Sequence, residues 1–303
     1  MRQPTAIVLC LLATLLYADL CGAAREPSEP YPPGREPVIP DDPRRALSLT
    51  EVEGKYPQMK SIGRVLVAND TSASTGVLVT KCHFLMNLHA ISGLRTDPTG
   101  RSVTELTDGA LALTDEELSR SDAIAISIAL LPNGARDTSH GFAITLVGRV
   151  VKTGRQHMGR LSGYEGAIPE MEDWAIIRIG NPQLLASFVP VDIASDEEIA
   201  LASHKSLMAG YPAQLIGANG QQLFFQHCPS KTTWTGFQYR CVATAGNSGS
   251  PVLVNLRLAQ RNVLKIVGLV KEAKYIDDEL MGAGVPASSF RSAVETLRQD
   301  PCR

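Results

Sequence analysis

A serine lies between glycines in the segment Ala245-Gly246-Asn247-Ser248-Gly249-Ser250-Pro251 of this 303-residue chain. Small residues around a hydroxyl, followed by the apolar run 252–254, predict a sharp turn before a strand. Such a turn exposes its side chain and brings backbone N–H groups close to it, which is the geometry that a serine nucleophile and its oxyanion hole require. An ordinary turn between two strands has the same composition. The functional interpretation therefore depends on partners elsewhere in the chain.

A base must accept the proton of the serine, and a third group must orient that base. None of the six histidines follows Ser248, which excludes the Ser, acid, His order of the α/β-hydrolases. His89 is the strongest candidate because it ends the apolar run 84–88, where an imidazole ring has no packing role. His83, six positions earlier in the same hairpin, is expected to be its solvated counterpart.

Two aspartates are candidates for the orienting acid. Asp173 directly precedes the apolar segment 174–179, and Asp122 precedes the similar segment 123–126. A carboxylate at the end of a buried strand is half-desolvated and can hold an imidazole N–H. Either residue could instead be a strand-end aspartate that caps a turn.

These residues lie among many short alternating segments, of which 62–68, 174–179 and 263–270 are typical. Alternation with turn residues between the runs predicts half-buried strands. Only residues 287–299 have helical spacing of apolar residues, so we predict an all-β protein of two barrels or sandwiches with a C-terminal helix. The polar segment 94–120 contains at most one short helix, over 115–118.

Three sequence blocks resemble those of chymotrypsin-fold serine proteases, in that family's His, Asp, Ser order. The blocks are Gly76-Val77-Leu78-Val79 running to Asn87-Leu88-His89-Ala90, then Asp173-Trp174-Ala175-Ile176, then Gly246-Asn247-Ser248-Gly249-Ser250-Pro251. The sequence is most similar to the bacterial secreted branch that includes glutamyl endopeptidases, because of the serine block and the N-terminal block 38–44. The resemblance covers roughly residues 38–295, and it implies two six-stranded antiparallel β-barrels with the site in the cleft between them.

The resemblance assigns a role to each candidate residue. His89 becomes the general base and then the general acid, Asp173 its orienter and Ser248 the nucleophile, while the N–H groups of Gly246 and Ser248 form the oxyanion hole. Asp173 fits the family's compact spacing to the serine, whereas Asp122 lies too far upstream. The interval between His89 and Asp173 is longer than usual, which indicates an insertion at 94–120.

Two departures from the family's pattern affect activation and specificity. Asn247 stands where digestive proteases have an aspartate that pairs with a newly freed N-terminal amine, so that ion pair is not available here. The resemblance places the floor of the primary pocket near Val242, with Ala243 and Thr244 on its wall and Gly268-Leu269-Val270 opposite. Since none of these is charged, the pocket is expected to prefer small or hydrophobic residues before the scissile bond.

The N-terminal fifth of the chain predicts export. Met1-Arg2, an apolar run over 6–17 and small residues over 21–24 form the pattern of a signal peptide at 1–24. A lipid anchor on Cys21 is the competing interpretation. A proline-rich arm or propeptide follows at 25–45, with a mature start near Val38 by resemblance.

The rest of the chain is expected to divide into an N-terminal barrel at 46–181 and a C-terminal barrel with the helix at 182–303. The exported chain would be secreted or periplasmic and would have no membrane segment after signal removal. The formal net charge of −2 gives no indication of a nucleic-acid partner. The oligomeric state is not predicted.

Four cysteines remain after signal removal. Cys228 and Cys241 flank a predicted hairpin, which favours a disulfide between them, and by elimination Cys82 would pair with Cys302. The alternative for the second pair is two free buried cysteines. No phosphate-binding glycine loop and no Cys-x-x-Cys motif indicates a cofactor.

The sequence thus favours a secreted serine endopeptidase that acts on peptides or proteins. The alternative from another class is a catalytically inactive, protease-like binding module that uses the cleft or the segment 94–120 to hold a partner. A metal hydrolase is a weak third possibility, since His83 and His89 have no acidic or cysteine cluster to complete a metal site.

Overall fold

The computed structural model describes residues 43–47, 49–67, 73–92, 124–128, 144–154, 170–202, 205–212, 223–233, 236–258, 261–276, 279–300 and 302. Several expectations lie outside these residues. They are the signal peptide, the proline-rich arm up to residue 42 with the start near Val38, Asp122, and the insertion at 94–120 with its short helix.

Six strands form a closed antiparallel barrel in the first half of the chain. Its order is β2-β3-β4-β7-β6-β5, whereas the first strand of the chain, β1 (Arg45–Ala46), belongs to the second sheet. The barrel strands are β2 (Ile62–Val67), β3 (Ala73–Leu78), β4 (His83–Met86), β5 (Ile124–Ile128), β6 (Ile144–Thr153) and β7 (Ala175–Ile179). Closure leaves no free edge, and the pairing of β4 with β7 brings the ends of these two strands together.

The second sheet has nine strands in the described residues, more than the six expected for the second barrel. Its order is β1-β10-β9-β13-β14-β15-β12-β11, and β8 pairs in parallel with β14. The strands are β8 (Asp192–Ile193), β9 (Ser206–Gly210), β10 (Phe224–His227), β11 (Ser230–Thr233), β12 (Gly236–Tyr239), β13 (Pro251–Leu258), β14 (Arg261–Ile276) and β15 (Glu279–Pro286). The added strands are short pieces at the periphery, and β1 shows that the chain contacts the second sheet before it enters the first barrel.

The helices of the described part are few and short. The α-helices are α1 (Leu49–Lys55), α2 (His89–Ser92), α3 (Asp196–Ala202) and α4 (Ala287–Leu297), and the 3-10 helices cover Pro57–Ser61, Glu170–Glu172 and Pro182–Leu185. The all-β architecture with a C-terminal helix is confirmed, and α4 buries Phe290 and Val294 on one face. No helix among the described residues has the length and apolar character needed to cross a membrane.

One apolar cluster joins the two sheets. It contains Ile62, Val77 and Leu85 from the first barrel together with Leu253 and Leu264 from the second sheet, all at most 1% exposed. Burial of such side chains stabilises the fold by roughly 1.5–3 kcal/mol each. The loops that extend from both sheets are therefore held on a common core.

Two disulfides tie distant parts of this framework together. Cys82, in the turn before β4, is bonded to Cys302 after α4, and Cys228 is bonded to Cys241. Beside the Cys228–Cys241 disulfide, the side-chain amide of Gln226 accepts the backbone N–H of Val242 and donates to the carbonyl oxygen of the same residue. The ends of β10 and β12 are thereby joined by covalent and side-chain bonds instead of a strand ladder.

Candidate active site

His89 and Asp173 are in direct contact. His89 begins α2 just after β4, Asp173 lies just before β7, and these two strands are paired neighbours in the barrel. The imidazole Nδ1 lies 2.7 Å from Oδ2 of Asp173, and the backbone N–H of His89 donates to Oδ1 at 2.8 Å. The carboxylate therefore holds both the ring and the main chain of the histidine.

Asp173 is fully buried, whereas the His89 side chain is 34% exposed. A buried carboxylate is stable only when hydrogen-bond donors surround it, and the two groups of His89 supply such donors. Asn87 fixes the same residue from another side, because its Nδ2 donates to the main-chain oxygen of Asp173 at 2.8 Å. The ring is thus anchored at Nδ1, while about a third of the side chain is exposed.

This arrangement sets the proton on the imidazole. An ionised carboxylate only accepts hydrogen bonds, so Nδ1 of His89 must carry the proton in its bond to Asp173. The lone pair of the neutral ring then lies on Nε2, at the opposite edge. A base with this tautomer can accept a proton from a hydroxyl.

Ser248 lies in a tight turn between Thr244 and Ser250. Asn247 donates its N–H to the carbonyl oxygen of Thr244 at 2.9 Å, and Ser250 donates to that of Asn247 at 2.8 Å. Gly246 has φ of 88° and Gly249 has φ of 81°, a region that side chains other than hydrogen rarely tolerate. The two glycines therefore make the turn possible, as the sequence indicated.

Two N–H groups of this turn have no acceptor in the part of the chain that the structure describes. The N–H groups of Asn247, Gly249 and Ser250 are all bonded, the second of them to the carbonyl oxygen of Val270 at 2.8 Å. Those of Gly246 and Ser248 donate to no described residue. These two backbone donors are the ones that an oxyanion would need.

Thr75, on β3, docks the serine turn on the first barrel. Its N–H donates to the carbonyl oxygen of Ser248 at 2.8 Å, and its hydroxyl donates to that of Gly246 at 2.8 Å. The same hydroxyl accepts the N–H of Tyr211 at 3.0 Å. A Cβ at Gly249 would lie 2.0 Å from the carbonyl oxygen of Thr75 and 3.2 Å from the backbone nitrogen of Asn87. The turn thus packs against the strand ends that carry the histidine.

The hydroxyl of Ser248 is half-buried and donates weakly to the carbonyl oxygen of Lys271 at 3.4 Å. Such a long bond holds the side chain loosely, since good O–H donors lie at 2.5–3.0 Å. The hydroxyl can leave this acceptor at little cost when a better one is offered.

Comparison with known proteins supports the fold. No family model matches the sequence, and no curated protein matches it. Among solved structures, a Glu endopeptidase in complex with MPD has a TM-score of 0.53 at 17% identity, over 86% of this chain and 99% of that one. A thermostable serine protease from an extremophilic microorganism matches with a TM-score of 0.48 at 14% identity, over 78% and 98% of the two chains. An inactive form of a protein from M. tuberculosis matches with a TM-score of 0.45 at 14% identity, over 87% and 98%.

The fold assignment rests on the first of these matches together with the sheet topology. The chain has the chymotrypsin fold. The resemblance to chymotrypsin-fold serine proteases is thereby confirmed at the level of the fold, and the identity of 17% limits the statement to architecture.

Within the chymotrypsin fold, the expected pocket residues fall into two groups. Val242, Ala243 and Thr244 form the segment between the Cys228–Cys241 disulfide and the serine turn, with Val242 buried and the other two half-buried. Gly268, Leu269 and Val270 lie on β14 and are buried against β13 directly behind the turn. Gly268 lies beneath the ring of Phe237, where a Cβ would come within 2.7 Å.

A phenol is packed close to the same region. Tyr239 on β12 is buried, and its hydroxyl donates to the carbonyl oxygen of Glu272 at 2.6 Å. Burial, and then the nearby carboxylates of Glu272 and Glu170, hold the pKa of Tyr239 well above its usual value. The phenol therefore remains a neutral donor that fixes the main chain one residue beyond Lys271.

The expectation that His83 is solvated is wrong. Its side chain is 0% exposed and lies beside the Cys82–Cys302 disulfide, with Nδ1 2.7 Å from the hydroxyl of Thr80 and Nε2 3.5 Å from Oδ2 of Asp300. Burial is the main cause of a lowered pKa of His83; Asp300 opposes it and Arg178 adds to it. The C-terminal tail that the disulfide brings to this position covers the ring.

Three residues at the site had no strong sequence signal. Thr75 and Arg44 contact the serine turn from positions 171 and 200 residues away along the chain. Asn87 lies in the block 87–90 that carries the family resemblance, and its position two residues before His89 was the only available indication. Single polar residues at strand ends are too common to be selected without knowledge of the pairing of the strands.

Proposed function

We propose that this chain is an exported serine endopeptidase, with peptides or proteins as substrates. The observation that carries the proposal is the 2.7 Å contact between His89 and the buried Asp173, because it sets the imidazole tautomer that a general base needs. The docking of the Ser248 turn on Thr75 and next to Asn87 supports it further.

In the proposed mechanism, Oγ of Ser248 attacks the carbonyl carbon of the scissile bond while Nε2 of His89 takes the hydroxyl proton. The N–H groups of Gly246 and Ser248 stabilise the negative charge on the carbonyl oxygen, a contribution of about 2.7–4 kcal/mol for one such donor. His89 then gives the proton to the leaving amine. Water hydrolyses the acyl-enzyme by the same steps in reverse order, and Asp173 stabilises the imidazolium each time it forms.

We further propose that the primary pocket, around Val242, Ala243 and Thr244, takes a small or apolar residue before the scissile bond. The support is that these residues carry no charge, so an unpaired substrate charge buried among them would cost several kcal/mol. A peptide library should be cut mainly after such residues. Arg44 donates to the hydroxyl of Thr244, so cleavage mainly after Glu, abolished in Arg44→Met, would refute the prediction and attribute the preference to this guanidinium.

Export and domain limits belong to the same proposal. The chain would lose residues 1–24 as a signal peptide, keep or shed the proline-rich arm at 25–45, and use 46–181 and 182–303 as its two barrels. The two disulfides support an oxidising compartment, outside the cell or in the periplasm. N-terminal sequencing of the exported protein should give a start near residue 24 or near Val38, and a start at Met1 would refute export by this route.

Covalent labelling of Ser248 tests the catalytic proposal. A fluorophosphonate probe should label the purified chain and should fail to label Ser248→Ala, and peptide mapping should place the label on Ser248. Circular dichroism and thermal unfolding of both proteins check that they are folded. A folded and processed chain that the probe does not label would favour the inactive binding module.

A further inference from the structure

A buried arginine connects the N-terminal segment to the serine turn. Arg44 precedes β1, which pairs with β10 in the second sheet, and the residue is only 8% exposed. Its Nη1 donates to the hydroxyl of Thr244 at 2.8 Å, across 200 positions of the sequence. A guanidinium is costly to bury, so its partners fix its position closely.

The directions of the hydrogen bonds around Thr244 follow from the arginine. A guanidinium only donates, so the Thr244 hydroxyl accepts from Arg44 and has its own proton for Oδ1 of Asn247, 3.4 Å away. The backbone N–H of Thr244 donates to the same Oδ1 at 3.1 Å. The other end of the amide, Nδ2, then donates to Ser250 at 3.4 Å, which sets the orientation of the buried Asn247 side chain.

Asn247 lies between the two backbone donors assigned to the oxyanion hole. The N–H of Ser248 belongs to the peptide plane that follows Asn247, and the N–H of Gly246 lies one residue before it. Loss of the side-chain bonds that hold Asn247 to Thr244 and Ser250 would free its backbone to rotate, and that rotation changes the direction in which the Ser248 N–H points. Oxyanion stabilisation depends steeply on that direction, because the donors must lie 2.7–3.1 Å from the developing charge.

We propose that Arg44 is a positioning residue for the oxyanion hole, acting through Thr244 and Asn247. In this chain, where Asn247 cannot form an ion pair with a freed N-terminal amine, a cation on the N-terminal segment holds the turn instead. The effect on catalysis rests on the proposed endopeptidase function. The effect on the turn itself does not.

The test compares Arg44→Met with Arg45→Met. Both substitutions keep an apolar stem and remove a guanidinium from the same segment, but Arg45 is exposed and contacts Glu51 and the ring of Phe225 instead of the turn. We expect Arg44→Met to lower kcat by about tenfold to hundredfold, less than the loss of a whole oxyanion donor, with KM within about twofold. Arg45→Met should leave both within about twofold, and Arg44→Lys should restore part of kcat.

Hydrogen exchange gives a readout that does not need activity. Amides of the peptide 244–250 should exchange faster in Arg44→Met than in the unchanged chain, whereas Arg45→Met should leave them unaltered. If Ser248 of the unchanged chain proves unreactive toward the fluorophosphonate probe, the endopeptidase function fails, and the exchange comparison still decides the role of Arg44.

A double-mutant cycle with Thr244→Val identifies the route. Valine keeps the shape of threonine and removes the hydroxyl that links Arg44 to Asn247. We expect Arg44→Met to change kcat and turn exchange less than about twofold in the Thr244→Val background. Equal exchange of the turn in Arg44→Met and the unchanged chain, or a full Arg44→Met effect in the Thr244→Val background, would overturn the proposal.

Discussion

One histidine begins strand β4 and another lies just after its end, and each is near an aspartate, yet their environments are opposite. His89, after the end of the strand, is 34% exposed and lies 2.7 Å from Asp173. His83, at the start of the strand, is 0% exposed and lies 3.5 Å from Asp300. The chain thus places the same pair of residue types at both ends of one strand.

The difference shows how hydrogen bonds decide what an imidazole can do. At His89 the carboxylate accepts a hydrogen bond from Nδ1–H, which leaves the lone pair of the neutral ring on Nε2. At His83 the hydroxyl of Thr80 already accepts the N–H groups of Cys82 and His83, so it must donate to Nδ1. The proton of His83 is then on Nε2, which is directed at Asp300 inside the protein. In the proposed endopeptidase the ring of His89 is the base toward substrate, whereas the ring of His83 is buried beside the Cys82–Cys302 disulfide.

Substitution of the two histidines should give the largest difference in kcat. We expect His89→Ala to lower kcat by about 10⁵ to 10⁶, the size of effect found when a triad base is removed. His83→Gln should leave kcat within about threefold, since the ring contacts Thr80, Cys82 and Asp300 and none of these belongs to the serine turn. Steady-state hydrolysis of a peptide substrate measures both, and a comparable loss of kcat in a folded His83→Gln protein would contradict the division of roles.

Substitutions of the two aspartates should differ almost as much in their effect on kcat. Asp173→Asn keeps the shape but offers an N–H to Nδ1, which favours the wrong tautomer of His89, and kcat should fall by about 10⁴ at neutral pH. Asp300→Asn should leave kcat within about twofold. A kcat of Asp173→Asn within tenfold of that of the unchanged chain would remove Asp173 from the proposed triad.

The disulfide beside His83 should govern stability without affecting the chemistry. Cys82 and Cys302 are 220 positions apart, and the chain-entropy model gives such a bridge up to about 5 kcal/mol of the free energy of unfolding. We expect Cys82→Ala/Cys302→Ala to lose most of this while kcat at low temperature stays within about twofold. Denaturant unfolding and hydrolysis rates measure the two quantities.

Removal of the second disulfide is the contrasting case. Cys228 and Cys241 close a loop of 13 positions, for which the same model gives about 3 kcal/mol. Because Cys241 directly precedes Val242, which we propose as part of the primary pocket, removal of this bridge should alter KM as well as stability. Unchanged KM in Cys228→Ala/Cys241→Ala would show that the Gln226 amide alone holds the pocket segment.

Much of this architecture was predictable because local patterns carry it. The run 62–68 predicts β2 to within one residue, and the helix at 287–299 is observed over Ala287–Leu297. Strand β15 was missed because Gly282 and Gly284 interrupt its pattern. A side chain at Gly282 would overlap the ring of Tyr239 on the paired strand β12, so packing across the sheet requires a glycine there.

The candidate site likewise has residues that the local sequence indicates and residues that only the fold brings into place. The serine turn has a local signature in its glycines, and His89 and Asp173 stand at the ends of apolar runs. Nothing local distinguishes Thr75 or Arg44, which act on the turn only because the fold brings them there. The burial of His83 has the same origin, since a disulfide to the last residues of the chain covers it.

The smallest effect, and the most specific to the buried ring, is a pH dependence of stability. Burial lowers the pKa of His83, so the unfolded chain binds this proton more tightly than the folded protein. The stability associated with the neutral ring is fully present above the unfolded pKa of about 6.5, and it is lost as the pH falls toward the lowered folded value. One proton sets a maximum slope of about 1.4 kcal/mol per pH unit. Free energies of unfolding between pH 5 and 8 should therefore fall more steeply toward acid in the unchanged chain than in His83→Gln, and parallel curves would mean that the buried ring keeps its ordinary pKa.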